Sequence, residues 1–252
     1  MKASATGRIL MWRGGSLWIG LAGEPAGMHA HHAVQITLPF NGGGARFQVP
    51  GEPWTNYSAA IVAAQQPHAF EARGQMMAQI FVEPESRDGR ALQLLHRSQG
   101  IAALGDSISS KVEALAAAYE SRATGAALIE LAHATIRKLV GASPSAATPP
   151  DARIAQALEL IREQLSGPVS LKTIAQAVHL SPDRFRHLFM EETGVGFRPY
   201  VLWQRLDCAL AAYVKGSTLT EAAHDGGFAD SAHFSRTFRK MFGIAPASVR
   251  PE

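Results

Sequence analysis

The sequence predicts an α+β protein of two domains. The first is a small N-terminal β-barrel followed by helices; the second is an all-α C-terminal domain with two helix-turn-helix units joined by a linker helix. Three observations predict this. Short apolar or alternating runs, punctuated by glycine and proline, extend to Val82. Helical spacing dominates afterwards. One segment also recurs at an offset of 49 residues: Ser181, Phe185, Phe189 and Gly194 return as Asp230, Phe234, Phe238 and Gly243.

The strand-like runs are 8–13, 16–21, 34–38, 45–49, 59–63 and 76–82, with turns at Gly14-Gly15, Gly42-Gly43-Gly44, Pro50-Gly51 and Gly74. Many short strands with glycine turns fit a small barrel or sandwich. Runs 89–97, 107–121 and 126–139 then carry helical spacing. Ile129, Ala132, Ile136 and Leu139 suit either the barrel or a second subunit, so a homodimer contact is one of two readings of 107–139. The stretch G-A-S-P-S-A-A-T-P-P (141–150) is small, proline-rich and free of apolar anchors, which marks a linker. The expected organisation is therefore 1–141, a linker at 142–150, and 151–252.

Composition excludes several classes. An apolar content of 46% and a charged content of 18% over 252 residues belong to a globular chain long enough for two cores. No run is long and apolar enough to cross a membrane. Arg13, Gly14 and Gly15 interrupt the first apolar run, so a secretory leader is not expected. A single cysteine, Cys208, excludes an internal disulfide framework; a reducing cytoplasm is the expected location, and a packed thiol the expected state. The net charge of +3 is small, so a polyanion would have to be met by local charge such as Arg236, Arg239 and Lys240.

Past the linker, Ile154, Leu158, Ile161 and Leu165 form one apolar stripe, ended by Gly167-Pro168. Ser170 suits the cap of a helix whose apolar stripe is Leu171, Ile174, Ala175 and Val178. Ser181 and Asp230 suit the caps of two further helices, each with phenylalanines four apart on a buried face. Between them a long helix runs from about Pro199 to Val214, with Leu202, Leu206, Ala209, Leu210 and Tyr213 inward; a short one around Leu219–Ala223 follows. The outer faces carry Asp183, Arg186, His187 and Met190 in one copy, and Ser231, Ala232, Ser235, Arg236 and Arg239 in the other. Paired short helices with arginine-bearing outer faces suit major-groove reading of double-stranded DNA.

The run S-L-K-T-I-A-Q-A-V-H-L-S-P-D-R-F-R-H-L-F (170–189) supports a more specific reading. E-T-G-V-G-F-R-P-Y-V (192–201), Arg205 with Ala209 and Leu210, G-F-A-D-S-A-H-F-S-R-T-F-R-K-M-F-G-I-A-P (227–246) and Arg250 extend it. Over 154–250 the chain resembles the arabinose-regulator (AraC/XylS) family of bacterial transcription factors. The resemblance implies that each reader helix enters a major groove and that the linker helix fixes their separation. By position, Asp183, Arg186 and His187 read bases in the first helix, and Ser231, Ser235 and Arg236 in the second. Arg239 and Lys240 suit phosphates. For Asp183, accepting from a cytosine amino group and simply favouring the helix N-terminus stay open. Transcriptional activation, with RNA polymerase as partner, is the outcome the resemblance implies.

In the first domain, His29, His31 and Gln35 have odd spacing, which on one strand puts them on one side and His32 on the other. His68 follows Pro67, with Phe70 on its face. This resembles a cupin barrel, whose enzymes use H-x-H, a glutamate and a later histidine for a divalent metal; here the glutamate position is Gln35. A small-molecule effector held by His29, His31, Gln35 and His68 is one expectation, and a metal on His29, His31 and His68 another. Trp12, Trp18, Trp54, Phe40 and Phe47 suit either a pocket lining or a barrel core. The rival class is a metal-dependent cupin enzyme fused to a DNA-binding domain. No phosphate loop or Ser-His-Asp arrangement stands out, so catalysis is not the expected task.

Overall fold

The structure is a computed structural model that describes residues 5–96, 100–141 and 149–251. Most of the predicted linker, at 142–148, lies outside them. The chain divides into two compact units, Met1–Ala147 with Phe238–Glu252, and Thr148–Thr237.

The first unit is built on two sheets. One has seven strands: β1 (Ala5–Trp12), β2 (Gly15–Leu21), β4 (Val34–Pro39), β7 (Ala60–Val62), β9 (Met76–Val82), β10 (Ile101–Ala103) and β11 (Val249–Pro251). Their order is β10-β7-β4-β9-β2-β1-β11, antiparallel except that β11 runs parallel to β1. The other sheet orders β3 (Ala26–His29), β8 (His68–Glu71), β5 (Ala45–Gln48) and β6 (Thr55–Tyr57) as β3-β8-β5-β6. The hydrogen-bonded ladders thus form two sheets rather than one closed ring.

Alternation along β4 explains both faces of the large sheet. Val34, Ile36 and Leu38 join Leu17, Ile19, Ile80 and Val82 in a core with Leu92 of α1 (Arg87–His96), Leu115 of α2 (Ser109–Glu120), and Leu128, Ala132 and Ile136 of α3 (Gly125–Val140). Gln35 and Thr37, one residue out of phase, point the other way, on the side where Ala60, Val62 and Met77 meet Phe47 and Phe70 of the second sheet. A strand covered on both faces can be wholly buried, as β4 is. The helix α3 thus packs on the sheet through Leu128, Ala132 and Ile136, while Ile129 stays partly exposed.

The second unit contains α4 (Ala152–Glu163), α5 (Leu171–Ala177), α6 (Pro182–Thr193), α7 (Phe197–Val214) and α8 (Leu219–Asp225); the division falls inside α9 (Ser231–Phe242). The predicted stripes close around one core: Ile154, Leu158, Ile161 and Leu165 meet Ile174, Val178, Phe185, Phe189 and Tyr200. Cys208 packs beside this core. Burial, then the nearby Asp207 and Asp225, raise the thiol pKa and keep it protonated. Helix starts follow the sequence. Asp151, Ser170 and Ser181 side chains accept from the first-turn amides of α4, α5 and α6, and Thr218 and Glu221 form a full capping box on α8.

Candidate functional site

Among the described residues, two groups bear on function. The first is the pair of helices α6 and α9, the predicted readers. Ser181 Oγ accepts from the Arg184 amide at 3.3 Å, and Asp230 Oδ1 accepts from the His233 amide at 2.6 Å, so both copies cap at the same helical position. Phe185, Phe189, Phe234 and Phe238 are all fully buried. Gly194 and Gly243 end the two copies with φ of 73° and 71°, a conformation that costs glycine little.

The repeat reaches back into the preceding turns. Leu180 N–H donates to Ala175 O at 2.9 Å, and Phe228 N–H donates to Ala223 O at 2.9 Å. His179 and Gly227 both take left-handed φ there, 56° and 71°. These pairs stand 48 residues apart (179 to 227), whereas the caps stand 49 apart (181 to 230), so the second turn holds one extra residue, Ala229.

All the predicted DNA-facing side chains reach the surface. Asp183, Arg186, His187, Arg236, Arg239 and Lys240 are exposed; Ser231 and Ser235 are half-buried. Asp183 is engaged within its own helix. Its carboxylate accepts from Arg186 Nη1 at 2.7 Å, and its carbonyl accepts from His187 Nδ1 at 2.8 Å. Arg205 works differently. Its Nη2 donates to the Gly167 carbonyl at 2.7 Å and ties α7 to the turn after α4.

The second group lies between the sheets of the first unit. His29, His31 and His68 are 7%, 2% and 0% exposed, and one ring nitrogen of each lies within 4.8 Å of those of the others. His29, His31 and Gln35 do not share a strand, as their spacing suggested: β3 ends at His29, β4 begins at Val34, and His31 sits in the intervening turn. That turn carries His31 back toward His68 at the start of β8, paired in register with His29. Each imidazole is fixed by a backbone carbonyl two residues away. His29 Nδ1 lies 2.6 Å from Gly27 O, His31 Nδ1 2.9 Å from Ala33 O, and His68 Nδ1 2.8 Å from Gln66 O. A carbonyl only accepts, so each Nδ1 holds its proton and each Nε2 presents a lone pair.

Burial lowers all three pKa values, His31 to about 4 and His68 to about 2, with neighbouring imidazoles adding to the last two. The trio is therefore neutral near pH 7. His32 turns the opposite way, its Nε2 2.8 Å from the buried Glu85 carboxylate. Burial opposes charge on His32, but Glu85 outweighs it and the pKa is raised. Sequence reading missed this pair, because Glu85 lies 53 residues on and outside any strand.

A cavity of about 110 Å³ in the same unit joins this cluster. Its walls include Trp18, Phe81 and Phe242, and its polar side includes His29, Gln35 and Gln79. The other aromatics lie elsewhere. Trp12 packs on His133, Phe40 belongs to the helix-facing core, Phe47 fills the barrel interior near His68, and Trp54 lies half-exposed under the Arg46 guanidinium.

Comparison with known proteins follows the same division. The helix-turn-helix domain model matches residues 174–252. Over this region the chain is similar to a helix-turn-helix domain. The uncharacterized HTH-type transcriptional regulator YijO of Escherichia coli K12 is 33% identical over 116 residues, 45% of this chain and 41% of that protein. The regulatory protein PocR of Salmonella typhimurium is 30% identical over 106 residues, 42% of this chain and 35% of that protein. The arabinose operon regulatory protein of Escherichia coli is 29% identical over 117 residues, 46% and 40% respectively. The chain thus spans less than half the length of these relatives. In fold it is similar to apo ToxT of Vibrio cholerae, solved as a lysine-to-alanine variant (TM-score 0.60, 12% identity, 92% of this chain and 94% of that one). It is also similar to ToxT with an unsaturated fatty acid bound (TM-score 0.56, 14% identity, 92% of each chain).

Proposed function

We propose that this chain is a sequence-specific DNA-binding transcription regulator whose N-terminal barrel binds a small effector. The observation that carries the reading is the repeated cap, phenylalanine pair and left-handed glycine of α6 and α9. This repeat holds two exposed arginine-bearing faces on equivalent frames. Arg186 and His187 on α6, with Ser231, Ser235 and Arg236 on α9, read base edges. An arginine bidentate to guanine contributes about 1–3 kcal/mol of discrimination. Arg239 and Lys240 hold phosphates, which set position without reading sequence. Asp183 orients Arg186 rather than reading a base.

The effector site is the cavity beside His29, Gln35 and the other two histidines. An apolar cavity with a few converging polar groups suits a small organic molecule held at one polar end. Binding there shifts the population in which both readers engage DNA. The functional domains are 1–141 and 151–252, and the task is recognition rather than turnover. Activation through RNA polymerase in the cytoplasm is the outcome the family resemblance supports. Sequences selected from random duplexes by the purified full chain, with and without cell extract, test this reading. It predicts an enriched two-part site whose recovery changes with extract. Recovery of random sequence under both conditions would refute it.

A further inference from the structure

The cavity of about 110 Å³ in the first unit specifies the chemistry of what fills it. Strand alternation sets its lining. Leu17 and Ile19 of β2, with Ala78 and Ile80 of β9, belong to the helix-facing core. Trp18, Gln79 and Phe81, one residue out of phase, therefore point the other way, into the cavity. Trp18, Phe81 and Phe242 form an aromatic wall, with ring centroids 5.3 Å (Trp18–Phe81), 5.0 Å (Trp18–Phe242) and 5.6 Å (Phe81–Phe242) apart. Arg8 borders the cavity through its strand. Its side chain leaves on the other face of β1, with Leu10 and Trp12, and its Nη1 donates to the Ala123 carbonyl at 2.6 Å. The carboxylate in the lining is Glu24, in the β2–β3 connection. Gln35 is already engaged by His31 and Thr37, and His29 Nδ1 by Gly27 O. Among the described residues no hydrogen bond engages the Gln79 amide, which brings both a donor and an acceptor to the cavity.

We propose that this cavity takes an uncharged single-ring molecule bearing a hydroxyl group, with Gln79 as its hydrogen-bonding anchor. Size sets the ring count: an apolar cavity of roughly 150 Å³ holds one benzene, so fused rings and long chains exceed the space here. The aromatic wall offers faces and edges on which a ring packs. The lining sets the charge. A carboxylate would be buried with no cationic side chain to pair it and with Glu24 in the same lining, a costly state. A hydroxyl both donates and accepts, and so matches a primary amide in both roles. Phe242, Ile244 and Val249 of the C-terminal segment complete the lining. That segment is held by the bond from the Gly27 amide to Gly243 O and by the short β11–β1 ladder. A ligand packed against it favours the closed state and slows its local opening. The ligand class rests on the reading of the barrel as the effector domain.

Calorimetric titration of the full chain near pH 7 with matched probes tests the class: benzyl alcohol, toluene, benzoate and benzylamine. We expect saturable one-site binding of benzyl alcohol, at least about tenfold tighter than benzoate or benzylamine. 2-Naphthalenemethanol, one fused ring larger, should bind at least about tenfold more weakly than benzyl alcohol. Gln79→Leu should weaken benzyl alcohol about five- to tenfold and leave toluene no weaker. Circular dichroism shows whether this variant folds; if it does not, the charge series on the wild type carries the test. No binding of benzyl alcohol, or equal or tighter binding of benzoate or benzylamine, would overturn the proposal. Equal affinity for the naphthalene probe would overturn the ring count. An unchanged preference of Gln79→Leu for benzyl alcohol over toluene would overturn the anchor. Hydrogen exchange across 243–249 should slow on saturation with benzyl alcohol, and unchanged exchange would remove the C-terminal wall from the site. Binding to a selected duplex is measured alongside. Sequence-specific binding without uptake of benzyl alcohol removes this proposal and leaves the regulator reading standing; uptake without any sequence preference does the reverse.

Discussion

Gly27 donates its amide to the carbonyl of Gly243, and that bond joins the strand ending in His29 to the residue that closes α9. Gly243 has φ of 71° and no room for a side chain. Gly243→Ala therefore combines a strained backbone with a clash against Gly27 and His29. We expect a lower melting temperature, equivalent to about 1–3 kcal/mol, and faster exchange of the Gly27 amide. A thermal melt with amide exchange checks both.

The buried face of the readers predicts their stability. Phe189 touches Phe185, Phe197 and Tyr200 and is fully buried. Phe189→Ala should cost about 3–5 kcal/mol in denaturant unfolding. Ser181→Ala, which removes only the cap, should cost about 1 kcal/mol.

Asp183 and Arg186 are an exposed ion pair three residues apart, so their bond contributes well under 1 kcal/mol to folding. Its consequence lies at DNA. Asp183→Asn removes a negative charge facing a polyanion and frees Arg186. We expect tighter binding to all duplexes and a smaller ratio between specific and random sequence, read by fluorescence anisotropy.

Arg236 and Lys240 are both exposed on α9, but their predicted roles differ. Arg236→Ala should lose about 1–3 kcal/mol on the selected site and relax preference at one base pair. Lys240→Ala should weaken all sequences alike and reduce the salt slope by about one.

The histidine cluster gives the protein a defined acid response. The folded pKa values of His31 and His68 lie below the usual 6.5, at about 4 and about 2. Below pH 6.5 the unfolded chain binds protons that the folded chain refuses, so stability falls with pH. For His31 the loss accumulates between pH 6.5 and about 4 and amounts to about 3 kcal/mol. His32, raised by Glu85, works in the opposite sense: it favours the folded state below pH 6.5 and loses that contribution as pH rises. Urea unfolding across pH 4–7 with His31→Asn as control checks the balance; a variant as acid-sensitive as the wild type would contradict it.

The second half of the chain is more legible than the first because helical signals are local. Caps at Ser170, Ser181 and Asp230 and apolar stripes such as Ile154–Leu165 act within a few residues, and the structure follows them. The turn hydrogen bonds of Leu180 and Phe228 were not legible, because the extra Ala229 shifts their offset from 49 to 48. Strand pairing is non-local, so β6 and β10, three residues each, gave no alternation long enough to read, and the four-residue β3 and β8 showed only their histidines. The same brevity hid the break between His29 and Val34. The histidines nevertheless converge, since a turn between two strands and the β3–β8 register accomplish what one strand was expected to do.

The central claim is that two equivalent helix frames read one DNA sequence together. Affinity of the full chain for a selected duplex and for a scrambled one, at one fixed salt concentration, tests it most directly. The account predicts a ratio of about 10³ or more, with half-sites about one helical turn apart. Equal affinity for the two duplexes would contradict it.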